Sequence, residues 1–301
     1  MAYCLQGCCT NETIFFDETM IQKTAPLITV IVAVFNGMNT LQQCIDSVAQ
    51  QTYPNKELII IDGGSKDGTV ELLEKNRNKF SYWISEPDRG IYNALNKGVA
   101  QAQGEWICFL GADDYFFDND VLERITGYLV NVPNYIHVAY GRIMMVDADG
   151  KSLYQQGDSW EKSKGRFRQF MSIPHQGVMH RRSLFEEHGQ FDESFRIAGD
   201  YELLLRELNT GDAFFIPNLI LVGHRVGGVS TDLSNYLNML RETRRAQRMH
   251  GQRIPGRHLM REMAIEYLRL LLWKVFGEQL ARKLLDLRRR IRGLPPHWTK
   301  T

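Results

Sequence analysis

No apolar stretch in this 301-residue chain approaches the ~18 residues needed to cross a bilayer, and the N-terminus has no basic segment followed by an apolar core. The expectation is a chain neither exported by a leader of that kind nor threaded through a membrane. Cysteine is scarce and unpatterned. Cys4, Cys8, Cys9, Cys44 and Cys108 make an odd five with no CxxC pair, which argues against zinc or a disulfide framework and for a reducing compartment. No GxGxxG and no GxxxxGK[ST] occurs, so dinucleotide and P-loop readings both fail. Net charge is nearly absent at +1, yet from Arg241 onward 16 Lys+Arg stand against 5 Asp+Glu, leaving residues 1–240 with 20 against 30. So acidic a body lacks the basic stripe from which a nucleic-acid groove draws its affinity, and no nucleic-acid partner is expected.

What is present fits an enzyme. With 44% hydrophobic and 24% charged residues the chain reads as globular, and at this length it can bury roughly three quarters of its unfolded surface in one large domain with an appendage. Two acidic clusters each follow an apolar run. Leu58-Ile59-Ile60-Ile61 leads into Asp62-Gly63-Gly64-Ser65-Lys66-Asp67-Gly68, and Trp106-Ile107-Cys108-Phe109-Leu110 into Gly111-Ala112-Asp113-Asp114. Ligands of open α/β sheets bind outside the carboxyl ends of the strands, so two such loops can converge on one polar ligand and a hard cation. A nucleoside diphosphate with its metal suits that arrangement.

The periodicity predicts strands at 27–35, 57–61, 82–84 and up to Leu110, and helices at 39–51, 69–76 and 91–102. Alternation of this kind implies an α/β fold, a mostly parallel sheet flanked by helices. Residues 1–25 read as a loose lead-in. Each acidic cluster also has a plainer reading. Asp67 or Thr69 can cap the following helix, and Asp113-Asp114 can cap one before Phe116-Phe117. Asp62, at the very end of an apolar strand, is costly there unless something needs an acceptor, as a base or ribose edge would. Adjacent Asp113 and Asp114 repel by roughly 1 kcal/mol or more at an effective dielectric of about 20, which a cation would reverse.

With these pieces in order, residues 27–114 resemble the family 2 glycosyltransferases and their GT-A nucleotide-sugar-binding half. The matching segments are Val32-Ala33-Val34-Phe35-Asn36, Ile61 through Thr69, Asp88 through Gly98, and Phe109 through Asp114. The resemblance continues to about residue 231 through His175-Gln176-Gly177, Arg181 through Phe185, Gly189 through Glu193, and Gly199-Asp200-Tyr201-Glu202-Leu203-Leu204-Leu205-Arg206. It implies a nucleotide-sugar half at 26–115, an acceptor half at 116–231 and a basic helical extension at 232–301. It implies that Val34, Asn36, Asp62, Arg89, Ala112 and Asp113 line the nucleotide pocket, and that Asp113, with Asp114 adjacent and His224 in reach, holds Mn²⁺ or Mg²⁺. Asp200 is then the general base, with His175, Tyr201 and Glu202 on the acceptor side. Two positions depart from the family pattern, since Gly111 and Gly63 stand where it usually has acids.

The resulting expectation is an inverting, metal-dependent transferase that moves a sugar from a UDP-sugar to a hydroxyl of a glycan, lipid-linked, in the surface-polysaccharide manner of bacteria. A sugar nucleotidyltransferase would want a cation-bearing triphosphate loop after the first strand, and Phe35-Asn36-Gly37-Met38-Asn39 supplies none. A docked binding or scaffold subunit without turnover is the other rival. Beyond Pro255-Gly256, helical periodicity runs through Met260, Met263, Ala264, Tyr267, Leu268, Leu271, Leu272, Val275 and Phe276, breaks at Gly277, resumes through Leu280, Leu284, Leu287 and Ile291, and stops at Gly293-Leu294-Pro295-Pro296. Basic amphipathic helices with Trp273 and Phe276 suit an anionic leaflet at about 1 kcal/mol per well-placed cation, which points to a cytoplasmic enzyme at the inner face of the plasma membrane. Packing on the catalytic body or in a homo-oligomer is the alternative for this stripe.

Overall fold

A computed structural model of the protein describes residues 25–226 and 233–291, with the side chains at 233–234, 276 and 278–291 outside the description. The expected lead-in at 1–24, Gly227-Gly228, the C-terminal stop and the apolar stripe beyond Val275 therefore lie outside what is described.

The first half follows the alternation of its apolar runs. Strand β1 (Ile28–Val34) leads to helix α1 (Leu41–Ala49), β2 (Lys56–Asp62) to α2 (Thr69–Lys75), and β3 (Tyr82–Ser85) to α3 (Ile91–Gln101), before β4 (Trp106–Gly111). These four strands run parallel in the order β3-β2-β1-β4. Register pairs Val34 with Asp62 and Ala33 with Gly111, so the loops after β1, β2 and β4 leave the sheet at one edge.

The second half completes the sheet. It contains β5 (Tyr115–Phe116), α4 (Val121–Leu129), β6 (Val138–Val146), β7 (Ser152–Gln156), α5 (Trp160–Phe167), β8 (Val178–Arg181), α6 (Arg182–His188), α7 (Gly199–Leu208) and β9 (Ala213–Arg225). The order continues β4-β8-β6-β9-β5, with β7 on β6. β8 is antiparallel to both β4 and β6, so β6 and its parallel neighbour β9 run with the first four strands. Asp113 and Asp114 lead into β5, not into a helix, which removes the capping role considered for them.

Helices cover both faces, and the core divides accordingly. Val30, Val32, Leu58, Ile60, Cys108 and Leu110 pack with α1, α2 and α4, whereas Ile31, Ile59, Ile61, Ile107 and Phe109 pack with α3, α6 and α7. Successive side chains of a strand point to opposite faces, so a strand buried on both sides reads as an unbroken apolar run. Cys44 and Cys108 are both buried free thiols.

Helices α8 (Leu233–Met249) and α9 (Arg257–Ile291) follow β9. The expected boundary at residue 231 falls outside the described residues, but α8 beyond it is bonded into the body. Its Glu242 accepts from the backbone amides of Arg196, Ile197 and Ala198 at 2.9, 2.8 and 2.9 Å, ahead of α7. Helix α9 breaks at Gly277, whose φ of 72° belongs to the left-handed region that glycine enters without strain. Among its described side chains the helix is buried on one side only. Leu259, Glu266 and Arg269 are buried, while Tyr267, Leu268, Leu271 and Val275 stay exposed. No helix among the described residues is long and apolar enough to cross a membrane.

Candidate active site

The loops after β1 and β2 are joined by side chains that replace missing secondary structure. Asn36, in the left-handed region at φ 53°, donates its backbone N–H to Ser65 Oγ at 2.7 Å. Its Oδ1 accepts from the Lys66 amide at 3.0 Å. The amides of Gly37 and Met38 donate to Thr69 Oγ1 and Asp67 Oδ2, each at 3.0 Å. Asp67 thus ties the two loops together, and the helix-starting residue Thr69 also donates its amide to Asp67 Oδ1 at 3.1 Å.

Asp62 organises the loop that follows β2. It is fully buried, and its carboxylate accepts from the amides of Gly64 and Ser65 at 3.1 and 3.0 Å, from Ser85 Oγ at 2.6 Å and from Ser65 Oγ. The acceptor at this strand end is engaged by its own loop and by Ser85 of β3. Arg89 turns elsewhere: its guanidinium pairs with Glu193 at 2.6 Å, and Asn93 Nδ2 donates to the same carboxylate at 3.1 Å. Val34, expected to line the nucleotide pocket, is buried, and Ala112 is half-buried.

Both departures from the family pattern have a steric explanation. A Cβ on Gly63 would lie 2.5 Å from Asp88 Oδ2 and 3.4 Å from the ring of Phe35. Asp88, anchored through Oδ1 on the Gly90 amide at 2.8 Å, brings its carboxylate to the place a residue-63 acid would enter, beside an aromatic ring that is 66% exposed. A Cβ on Gly111 would lie 2.7 Å from Asp114 Oδ2 and 2.8 Å from Asp113 Oδ1, so both carboxylates fold back over this glycine.

Asp113 and Asp114 then diverge. Asp114 is buried and its carboxylate accepts from His224 Nδ1 at 2.9 Å and from the Arg225 amide at 3.1 Å. Arg225 Nε in turn donates to the Asp113 carbonyl at 2.9 Å. Burial disfavours a charged His224, but the Asp114 hydrogen bond and the two carboxylates outweigh it and raise its pKa. Burial, then the charge of Asp114, pushes the Asp113 carboxyl up. Two adjacent carboxylates with an imidazole beside them make a donor set suited to a divalent cation. With His224 donating through Nδ1, Nε2 is the nitrogen that can coordinate, and Asp114 orients the ring.

Asp200 is the second residue of α7, where its charge suits the helix dipole. It is not the capping residue, although its Oδ1 accepts from the Tyr201 amide at 2.8 Å. Its side chain is 25% exposed, and its Oδ2 lies 3.8 Å from His175 Nδ1. His175 stacks on Phe109, and burial lowers its pKa against the opposing charge of Asp200. Tyr201 and Glu202 do not face an acceptor. Tyr201 is buried with its hydroxyl on the Phe167 carbonyl at 2.8 Å, and buried Glu202 pairs with Arg206 and with His250 at 2.9 Å.

Sequence reasoning missed Asp88, Glu242 and Tyr92. Tyr92, on α3, donates its hydroxyl to the Ile197 carbonyl at 2.7 Å, accepts from the Gly199 amide at 2.8 Å and reaches Asp200 Oδ1 at 3.5 Å. It couples the nucleotide half to the start of α7. Only its place within the matched 88–98 segment hinted at this.

Residues 29–189 match the family model described as Glycosyl transferase family 2. A glycosyltransferase of Rickettsia typhi is 31% identical over 230 residues, 74% of this chain and 71% of its own length. The chain belongs to glycosyl transferase family 2. A further relative, the PGL/p-HBAD biosynthesis glycosyltransferase of Mycobacterium bovis, is 30% identical over 186 residues, 60% of this chain and 70% of its own. Among solved structures, Staphylococcus aureus TarS residues 1–349 in complex with UDP-GlcNAc align with a TM-score of 0.58 at 17% identity, over 87% of this chain and 77% of that one. The mannosyltransferase PcManGT of Pyrobaculum calidifontis, in complex with GDP-Man and Mn²⁺, gives 0.58 at 15% identity, over 92% and 83%. The fold of this glycosyltransferase is accordingly GT-A.

The role found for Asp62 has a direct consequence. Asp62→Asn replaces acceptors with a donor among four donors and should cost the nucleotide-free glycosyltransferase about 1.5–3 kcal/mol in urea unfolding. An unchanged midpoint would return Asp62 to the ligand.

Proposed function

We propose that this glycosyltransferase is an inverting, metal-dependent enzyme that transfers a sugar from a UDP-sugar to a hydroxyl of a lipid-linked glycan. The observation that carries the reading is the Tyr92 hydroxyl. By donating to the Ile197 carbonyl and accepting from the amides of Gly199 and Asp200, it holds the start of α7, which carries Asp200, in fixed relation to the helix that follows the nucleotide loops.

UDP is favoured by Asp88 and Phe35. An exposed ring gives a base a face to stack on, and a carboxylate accepts from an imide N–H such as that of uracil. TarS, bound to UDP-GlcNAc in its solved structure, supports the same choice. Asp113, with His224 Nε2, would hold Mn²⁺ or Mg²⁺, and the Mn²⁺ in the PcManGT complex supports a metal in this reading. When bound, the ion supplies positive charge against the departing diphosphate.

Asp200 removes the proton from the acceptor hydroxyl as its oxygen attacks the anomeric carbon. The bond from that carbon to the diphosphate breaks on the opposite face, and the electron pair leaves with the diphosphate. A single base on the acceptor side implies inversion. His175, kept neutral by burial, fills the space behind Asp200 without a cation that would weaken it as a base.

The exposed apolar residues of α9 and the basic charge around them fit an anionic membrane surface, the place where a lipid-linked acceptor is met. In this reading the enzyme works at the inner face of the plasma membrane.

Two measurements test the reading. Asp200→Asn should lower kcat by about 10²–10⁴ with donor KM little changed, and the wild-type product should have the inverted anomeric configuration by NMR. A retained configuration, or a variant as active as wild type, would reject the role of Asp200. Leu268→Glu, Leu271→Glu and Val275→Glu together should abolish co-sedimentation with phosphatidylglycerol vesicles. Undiminished sedimentation of this variant would remove α9 from membrane docking.

A further inference from the structure

At the far end of the sheet lies a second cluster that the transfer reaction does not use. His137 immediately precedes β6, His188 ends α6, and Glu207 lies in the last turn of α7. Because β6 runs with β4, its start is at the edge opposite the loops that carry Asp113. Glu207 is seven residues along α7 from Asp200, about 10 Å at the helical rise.

The ligand atoms of these three residues all lie within 4.8 Å of one another. Glu207 Oε2 is 2.8 Å from His188 Nε2 and 3.2 Å from His137 Nδ1. The edge of a tetrahedron with metal–ligand bonds of about 2.0 Å is ~3.3 Å, so little movement would admit an ion. Exposed Glu187 sits beside the cluster, with Oε1 3.4 Å from His137 Nε2.

His188 Nε2 and Glu207 Oε2 are aligned for a hydrogen bond, whereas His137 and Glu207 are close without one. His137 is 92% buried by its 8% exposure, and its buried Nδ1 has no hydrogen-bond partner among the described residues despite the nearby Glu207 oxygen. Two groups close together but not aimed at each other are what two ligands of one ion look like. A buried imidazole nitrogen left without a partner is otherwise costly.

We propose that His137, His188 and Glu207 form a second metal site, distinct from the donor site and selective for Zn²⁺. Two imidazoles and one carboxylate suit a borderline cation, whereas Mg²⁺ prefers an all-oxygen shell. Three protein ligands leave a fourth position for water or Glu187. The ion ties the beginning of β6 to the ends of α6 and α7, and so steadies from below the helix whose first turn carries Asp200.

The test uses full-length Asp113→Asn protein, which removes the donor-site carboxylate from the count, with and without His188→Ala. Dialysis against Zn²⁺ in excess Mg²⁺, followed by elemental analysis, should find one equivalent retained by the parent and lost with His188→Ala. Zn²⁺ at about a hundredfold over Kd should raise the parent's Tm by roughly 5 °C or more and leave the His188→Ala protein unmoved. Co²⁺ should give the parent the visible absorption of a tetrahedral complex with nitrogen and oxygen ligands, a readout that does not depend on the variant folding. No retained zinc and no cobalt spectrum, or binding that survives His188→Ala, would overturn the assignment.

Discussion

A carboxylate taken out of water must be surrounded by donors, and this requirement organises the molecule around its active edge. Asp62 gathers the loop after β2, Asp114 gathers His224 and the end of β9, and Glu242 gathers the backbone ahead of α7. Each would cost several kcal/mol if left without partners, so each fixes the segment that supplies its donors. Asp113 is the exception. It is pushed toward its neutral form by burial and by Asp114, which makes it the acid in this group suited to an added cation.

The same economy of space accounts for the two unusual glycines. At Gly63 and Gly111, carboxylates from Asp88, Asp113 and Asp114 occupy the volume that larger residues would need. The acceptor side depends on a similar exchange between distant parts, in which Tyr92 of α3 and Glu242 of α8 together set the start of α7. Helix α8 is part of the catalytic body for this reason.

The parallel half of the fold was legible because strands buried on both faces, separated by Gly and Pro, read as apolar runs between amphipathic helices. The family motifs located Asp113, Asp200 and His224. They did not show direction. Tyr201 and Glu202 follow Asp200 in sequence, yet helical geometry turns them toward Phe167, Arg206 and His250. Arg89 finds Glu193, more than a hundred residues away, and Glu242 finds amides over forty residues away. Partners at such separations leave no local pattern to read.

The central claim is that Asp113 is an uncompensated carboxylate waiting for a cation and a diphosphate. Isothermal titration of UDP into the wild-type protein and Asp113→Asn, each with and without Mn²⁺, tests it most directly. The account predicts binding that requires Mn²⁺ and weakens at least about tenfold in the variant, the factor that a loss near 1.4 kcal/mol produces. Equal affinity in all four titrations would contradict it.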